Sequence, residues 1–338
     1  MLNGAIIGLG NIATRGHLPA FARDGVRERM QITAVMDVVE QNRAKAAELL
    51  PGATFFSDLG SMLAGGKLDF VDICTPPHTH AGYIRECVAR GIHVICEKPL
   101  AERSDAARSA SADVKQAGVV FVPCHQYKYS PLWSAIHGLI GSGGLGEVTL
   151  AQFNVYRMFA DSGTAAWNPQ WRTSKSHSGG GILVDTGAHY FYLAQYFFGM
   201  PEKVSAILRT LKHKEYSVED TAVVTLEYPA TLVQVNLTWA ASHRANSVYI
   251  AGTGGSLSYD GVRLLHTCSS GIREIPMPDV SDKNQYITWY ASLFTEFANR
   301  VEKKDISTDL LDEAINVMKM LEMSYNSSAE NSAFGPLS

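Results

Sequence analysis

No run in this chain is apolar for long enough to span a bilayer, which takes about 20 consecutive apolar residues. Charge of one sign is not in excess either. The 29 basic and 33 acidic residues are interspersed and leave a formal net charge of −4, which removes the electrostatic footprint of a nucleic-acid binder. Cysteine is sparse. Cys74, Cys87, Cys96, Cys124 and Cys268 form no Cys-x-x-Cys pair and no zinc-ligand spacing. An odd count without a framework predicts free, mostly buried thiols in a reducing compartment. Met1-Leu2-Asn3-Gly4 leads into a strand with no basic stretch, twin arginine or cleavage site. These absences predict a cytoplasmic protein with no nucleic-acid partner, no membrane partner and no metal. Internal repeats and low-complexity tracts are also missing. What remains is 338 residues with 46% hydrophobic and 18% charged content, enough for two globular domains.

Residues 1–124 alternate strand and helix patterns. Ala5-Ile6-Ile7, Ile32 to Met36, Phe70 to Cys74, Ile92 to Cys96 and Val119 to Val122 are short apolar runs. Helical stretches at Ile12 to Arg23, Gln41 to Leu50 and Thr79 to Arg90 separate several of them. Apolar runs without polar alternation suit strands buried on both faces, and the βα order predicts a parallel, doubly wound Rossmann sheet. The pattern changes at 125–338, which predicts an α+β domain with a large open mixed or antiparallel sheet. A helix is expected from Pro131 to Ile140. Val204 to Thr210, Thr221 to Tyr228 and Leu232 to Trp239 alternate with period two. Further strands are expected near Val248-Ile250, Leu257-Tyr259 and Val262-Leu265, with a hairpin turn at Asp260-Gly261. Helices at Tyr286 to Val301 and about 310–324 close the domain, the last packing back on the first domain. Asn326 to Ser338 reads as a polar, loose tail.

Gly8-Leu9-Gly10-Asn11-Ile12-Ala13 follows the first strand and opens a helix. Gly8 permits the tight turn, Gly10 lets a pyrophosphate approach, and Ala13 allows close helix packing. The amides of Asn11 and Ile12 would face the phosphates at the helix N-terminus. Asp37 ends the second strand, 27 residues after Gly10. Its carboxylate suits ribose hydroxyls and repels a 2′-phosphate, and Val38 and Val39 supply no arginine, so NAD is favoured over NADP. The polar insertion Asp24 to Arg29 accounts for the long spacing. Thr75, Pro76 and His78 sit where a loop would line the nicotinamide ribose.

Glu97-Lys98-Pro99 ends the strand Ile92 to Cys96, so Glu97 and Lys98 border the same crevice. Gly179-Gly180-Gly181 feeds a helix that carries Asp185 and His189 one turn apart. Removing hydride from a secondary alcohol needs a base for the hydroxyl proton, and histidine has a suitable pKa. A lysine can stabilise the developing alkoxide. Asp185 can hold the imidazole or grip a second hydroxyl. Tyr127 and Arg172 are the candidates for orienting a polyol, ahead of His125, Lys128, Tyr156, Arg157 and Trp171.

Together, Gly8-x-Gly10-x-x-Ala13, Glu97-Lys98-Pro99 and Gly179-Gly180-Gly181-x-x-x-Asp185-x-Gly187-x-His189 resemble the glucose-fructose oxidoreductase / inositol dehydrogenase / MocA-like family. The resemblance extends over nearly the whole chain, including Trp171-Arg172 and the closing helix. It implies catalytic roles for Lys98, Asp185 and His189, and a cis Lys98–Pro99 bond. It implies an NAD-dependent dehydrogenase for a secondary alcohol of a polyol, sugar or sugar derivative. It also implies a homodimer or homotetramer joined through an open sheet face such as that of Gln234, Asn236 and Thr238. One position departs from the pattern: Tyr192 stands where the family often has an acid. Two other readings share the motifs, a non-catalytic dinucleotide-sensing regulator and an NAD-dependent glycosidase. Intact Lys98, Asp185 and His189 argue against the regulator.

Overall fold

The computed structural model describes residues 1–278 and 284–330. Its first sheet has six strands: β1 Leu2–Ile7, β2 Met30–Met36, β3 Thr54–Phe56, β4 Phe70–Ile73, β5 His93–Cys96 and β6 Phe121–Pro123. All pairings are parallel, in the order β3-β2-β1-β4-β5-β6. Ala5, Ile6, Ile7, Phe70, Val71 and Ile73 are fully buried, because helices cover both faces of the sheet. The strand order reverses between β1 and β4. Loops leaving those two strands diverge there and open a crevice at the carboxyl ends.

The second sheet contains β7 Val148–Tyr156, β8 Lys203–Arg209, β9 Thr221–Glu227, β10 Leu232–Thr238 and β11 Ala245–Gly252. It is completed by β12 Gly255–Tyr259, β13 Leu264–Cys268 and β14 Gly271–Ile275. Its order is β14-β13-β12-β11-β7-β10-β9-β8; β7 and β10 run parallel and the other pairs antiparallel. Val233, Val235, Leu237 and Trp239 are at most 1% exposed, and each contributes about 1.5–3 kcal/mol by burial. They join one core with Phe191 and Leu193 of the helix Ala188–Phe198. The opposite face is a ladder of polar pairs. Gln152 donates to Gln234 at 2.8 Å, Asn236 to Asn154 at 2.8 Å, and Asn154 to Ser247 at 3.1 Å.

The last helix, Asp309–Ala329, lies against β8 and also against the helix Ser104–Ala117 of the first sheet's layer. Ser104 donates to the Met318 carbonyl at 3.2 Å, and Lys115 pairs with Asp312 at 2.7 Å. The expected loose tail is therefore helical through Ala329, and residues 331–338 lie outside the described residues. The helix expected over Ile12 to Arg23 is a π-helical turn, Ala13–His17, followed by a short α-helix, Leu18–Phe21. Pro19 falls in the first turn of the latter, where its missing N–H costs nothing.

Candidate active site

Gly8 has φ of +91°, and a Cβ there would lie 2.7 Å from the Thr75 methyl. A Cβ on Gly10 would meet nothing within 4 Å. The backbone above β1 is thus bare on the side where a pyrophosphate would approach, and the residues present fit a dinucleotide. Asp37 is buried at the end of β2. Its carboxylate accepts from the Leu9 amide at 2.7 Å and from the Val39 amide at 2.8 Å. A carboxylate has about four acceptor positions, so two remain for ribose hydroxyls. Asn11 reaches across to the Ser162 carbonyl at 3.3 Å.

After β4, the Thr75 and Thr79 hydroxyls bond each other at 2.7 Å, and Thr79 bonds the Pro76 carbonyl at 2.9 Å. His78 approaches the His177 carbonyl at 3.2 Å and stacks on Trp167. His80 is fully buried. Its ring nitrogens face the carbonyls of Thr75 at 2.7 Å and Pro99 at 3.0 Å, so it ties together the loops after β4 and β5.

Glu97 and Lys98 point to different neighbours. The Glu97 carboxylate accepts from His17 Nε2 at 3.1 Å, from the Tyr290 hydroxyl at 2.6 Å and from the Lys98 amide at 3.1 Å. His17 Nδ1 donates to Asp72 at 2.8 Å. Burial alone would lower the pKa of His17, but Asp72 and Glu97 outweigh it and raise the pKa to about 9. Glu97 is held at about 2, its pairing with His17 outweighing its burial. Cys74 and Cys124 lie close by, so donor atoms of metal-ligand type surround the ring. Both nitrogens of an imidazolium are spent as N–H donors, however, and offer no lone pair to a metal. His17 and Tyr290 were not among the candidates from sequence. No spacing signal could have found them, since Asp72, Glu97 and Tyr290 come from three distant segments.

The Lys98–Pro99 bond is cis. The Lys98 ammonium donates to the backbone carbonyl of Asp185 at 2.7 Å, which brings the Glu-Lys-Pro turn onto the second motif. The glycine triplet is explained by close packing. A Cβ on Gly179, Gly180 or Gly181 would fall 2.2 Å or less from Glu102 O, Tyr325 Oη or Glu219 O, respectively. The Glu219 carboxylate accepts from the amides of Gly181 at 3.0 Å and Leu183 at 3.1 Å, and so caps the turn that carries Asp185.

That turn, Leu183–Gly187, is π-helical, so Asp185 and His189 are not stacked by a regular i, i+4 relation. Asp185 accepts from Arg172 Nε at 3.1 Å, and Arg172 lies over the Trp171 ring. Burial would raise the pKa of Asp185, but Lys98 and Arg172 hold it low. His189 is buried with Nδ1 unpartnered, its ring stacked on Tyr127 at 4.1 Å and 6°. Burial, then the charge of Lys98, push its pKa well below the ordinary 6.5. Tyr127 sits among Tyr190, Tyr286 and Trp289, with its hydroxyl bonded to Tyr286. Tyr192 is 1% exposed; its ring stacks on His125 and its hydroxyl meets Glu313.

A Rossmann sheet with a bare glycine turn, bordered by a lysine and a neutral histidine, defines a dinucleotide-dependent oxidoreductase. Residues 2–125 match the model described as "Oxidoreductase family, NAD-binding Rossmann fold", and residues 133–258 match the GFO/IDH/MocA C-terminal domain. The chain belongs to the GFO/IDH/MocA oxidoreductase family. It is 23% identical over 344 residues to D-glucoside 3-dehydrogenase of Escherichia coli (strain K12), covering 96% of this chain and 94% of that one. Among solved structures, GenD2 from gentamicin A biosynthesis, in complex with NAD, is 25% identical with a TM-score of 0.81. The match covers 98% of this chain and 95% of that one. Levoglucosan dehydrogenase, in complex with NADH and levoglucosan, superimposes with a TM-score of 0.85 at 20% identity, over 98% of both chains. The described residues contain no helix long and apolar enough to cross a membrane.

Proposed function

We propose that this enzyme is an NAD-preferring dehydrogenase acting on a secondary alcohol of a polyol, sugar or sugar derivative. The observation that carries the reading is the 2.7 Å contact of the Lys98 ammonium with the Asp185 carbonyl, one turn before His189. It joins a strand end of the cofactor sheet to the helix that bears a neutral, buried imidazole. The nicotinamide, when bound, supplies the hydride acceptor. His189 takes the hydroxyl proton at Nε2, since Nδ1 is enclosed, and its depressed pKa keeps it unprotonated beforehand. Lys98 donates to the oxygen as alkoxide charge develops. Asp185, anchored by Arg172, orients a neighbouring hydroxyl. Tyr127 holds the His189 ring flat by stacking on it.

Asp37 supports NAD over NADP, since a buried carboxylate repels a 2′-phosphate. Thr75, Pro76 and His78 line the nicotinamide end. The polar ladder around Asn154 and Asn236, bordered by exposed Val223 and Tyr249, supports a homodimer or homotetramer. Absorbance at 340 nm with NAD or NADP and a panel of polyols and sugars tests the reading. NADH formation, faster than NADPH formation, is expected. Equal rates with both cofactors would remove Asp37 from selection. Release of a leaving group without net NADH would make the protein a glycosidase. A monomer by light scattering would remove the assembly.

A further inference from the structure

Among the described residues, two arginines beside the catalytic stack have no counter-ion. β7 turns Ala151, Phe153 and Val155 inward, and Phe153 meets Tyr190, the neighbour of His189, at 5.7 Å. Alternation along the strand carries Arg157, two residues past Val155, to the same side. Its amide continues the ladder by donating to the Thr238 carbonyl at 2.8 Å. Its Nη1 donates to the carbonyls of Tyr156 at 2.7 Å and Ala245 at 3.2 Å, and to Asn246 Oδ1 at 2.9 Å. All of these partners are neutral. Nε and Nη2 have no partner among the described residues.

The β7–β11 ladder ends with Ala245 opposite Tyr156, and Arg244 and Arg157 are the next residues along the two chains. Arg244 is exposed and Arg157 half-buried, and the two like charges repel. Among the described residues neither arginine pairs with a carboxylate. Elsewhere the chain treats a half-buried arginine differently: Arg300 is ringed by Glu296, Asp305 and Asp309. Burial, then the charge of Arg244, lower the pKa of Arg157. Both arginines act on the Tyr190 hydroxyl, and Arg157 also acts on that of Tyr127, the ring stacked on His189.

We infer that Arg157 and Arg244 form a subsite for an anionic group on the substrate, a carboxylate or phosphate carried away from the oxidised carbon. The inference rests on the dehydrogenase reading and narrows its substrate class. A sugar acid and a sugar phosphate share the chemistry, because either presents oxygens to a guanidinium pair.

The test uses matched sets with NAD: glucose, glucuronate and glucose 6-phosphate; galactose, galacturonate and galactose 6-phosphate; and myo-inositol with its monophosphate. Turnover and calorimetric binding to the NAD-saturated enzyme are both read. In at least one set an anionic member should exceed its neutral parent tenfold or more in affinity or kcat/KM. The carboxylate and phosphate arms tell the two sources apart. Arg157→Gln and Arg244→Gln should each erase about 10–100-fold of that preference, the worth of a charge-assisted contact, mainly through KM. NAD affinity serves as the control for folding. Neutral parents that perform as well as their anionic partners overturn the inference and leave the dehydrogenase reading standing. So does a preference that survives both substitutions. A panel silent throughout, in binding and in turnover, overturns both.

Discussion

His17 and His189 are both buried near the Glu97–Lys98 step, yet they are held in opposite protonation states. His17 has a carboxylate on each ring nitrogen, and Asp72 and Glu97 raise its pKa to about 9 in spite of burial. His189 has no carboxylate partner, an orphaned Nδ1, and the charge of Lys98 nearby, and its pKa falls well below 6.5. Desolvation is the same in kind at both sites; the partners decide the outcome. The strand end distributes those partners. Glu97 turns toward His17 while its neighbour Lys98 turns toward the helix of His189. One cluster satisfies its histidine and fixes the frame. The other keeps its histidine neutral with a ring lone pair free, which is the protonation state a general base needs.

The largest effects should come from breaking the second cluster. Lys98→Ala and His189→Ala should each lower kcat by about 10²–10⁴, the range for a positioned acid–base group. Neither should change NAD affinity much, since the glycine turn and Asp37 lie apart from both side chains. Steady-state kinetics with calorimetric NAD titration checks both parts. Near-wild-type turnover in a folded, NAD-binding His189→Ala protein would remove His189 from the chemistry.

Breaking the first cluster should damage stability before chemistry. His17→Ala leaves Asp72 and Glu97 as buried carboxylates without their counter-ion, a change that costs about 3–5 kcal/mol. His189→Ala removes an unpartnered polar group along with the Tyr127 stack, so its loss should stay well below that of His17→Ala. Denaturant unfolding of the two variants side by side makes the contrast. Equal losses would mean that burial, not partnership, distinguishes the sites.

The two clusters were unequally legible in the sequence. Lys98, Asp185 and His189 sit in short motifs that announce themselves at strand and helix ends. His17 sits in no motif, and its partners converge only when β4, β5 and the helix Gln285–Lys303 are assembled. The glycine triplet was visible, but its reason was not, because Glu102, Glu219 and Tyr325 come from elsewhere in the fold. β10 could be read from Val233, Val235 and Leu237 alone. β7 was harder: a register shift opposite Ala251/Gly252 breaks the alternation near Thr149. The helix Ser104–Ala117 was not among the expected elements, although Ala107, Ala110, Ser111 and Val114 recur at helical spacing on its buried face.

The two histidines also differ in how they link stability to pH. The folded pKa of His17, about 9, exceeds its ordinary 6.5. Its contribution is therefore full below about 6.5 and is lost as pH rises through 9, about 3 kcal/mol in all. Glu97, lowered from 4.5 to about 2, contributes fully above 4.5 and loses its contribution as pH falls through 2. His189 has the opposite slope to His17. Its folded pKa is depressed, so the unfolded chain takes up the proton first and stability falls as pH drops below 6.5. Unfolding free energy against pH should lose alkaline slope in His17→Ala and acid slope in His189→Ala. The rate profile follows the same logic. A histidine of ordinary pKa would make oxidation rise through pH 6.5, whereas this one places that limb well lower and leaves kcat/KM flat across 6.5.

The smallest expected effect tests how His189 is held. With no hydrogen bond on Nδ1, its orientation rests on the Tyr127 ring, parallel to within 6° at 4.1 Å. An aromatic pair of this kind is worth about 0.5–1.5 kcal/mol beyond its buried area. Tyr127→Phe keeps the stack and removes only the hydroxyl that meets Tyr286. Tyr127→Leu keeps an apolar side chain there and removes the stack. If the ring positions the base, Tyr127→Phe should retain kcat within about twofold, and Tyr127→Leu should lose roughly 3–10-fold in kcat with little change in KM. If the hydroxyl instead binds the substrate, Tyr127→Phe should raise KM by itself. The ratio of the two variants' kcat values, measured at saturating NAD, separates a positioning ring from a substrate-binding phenol.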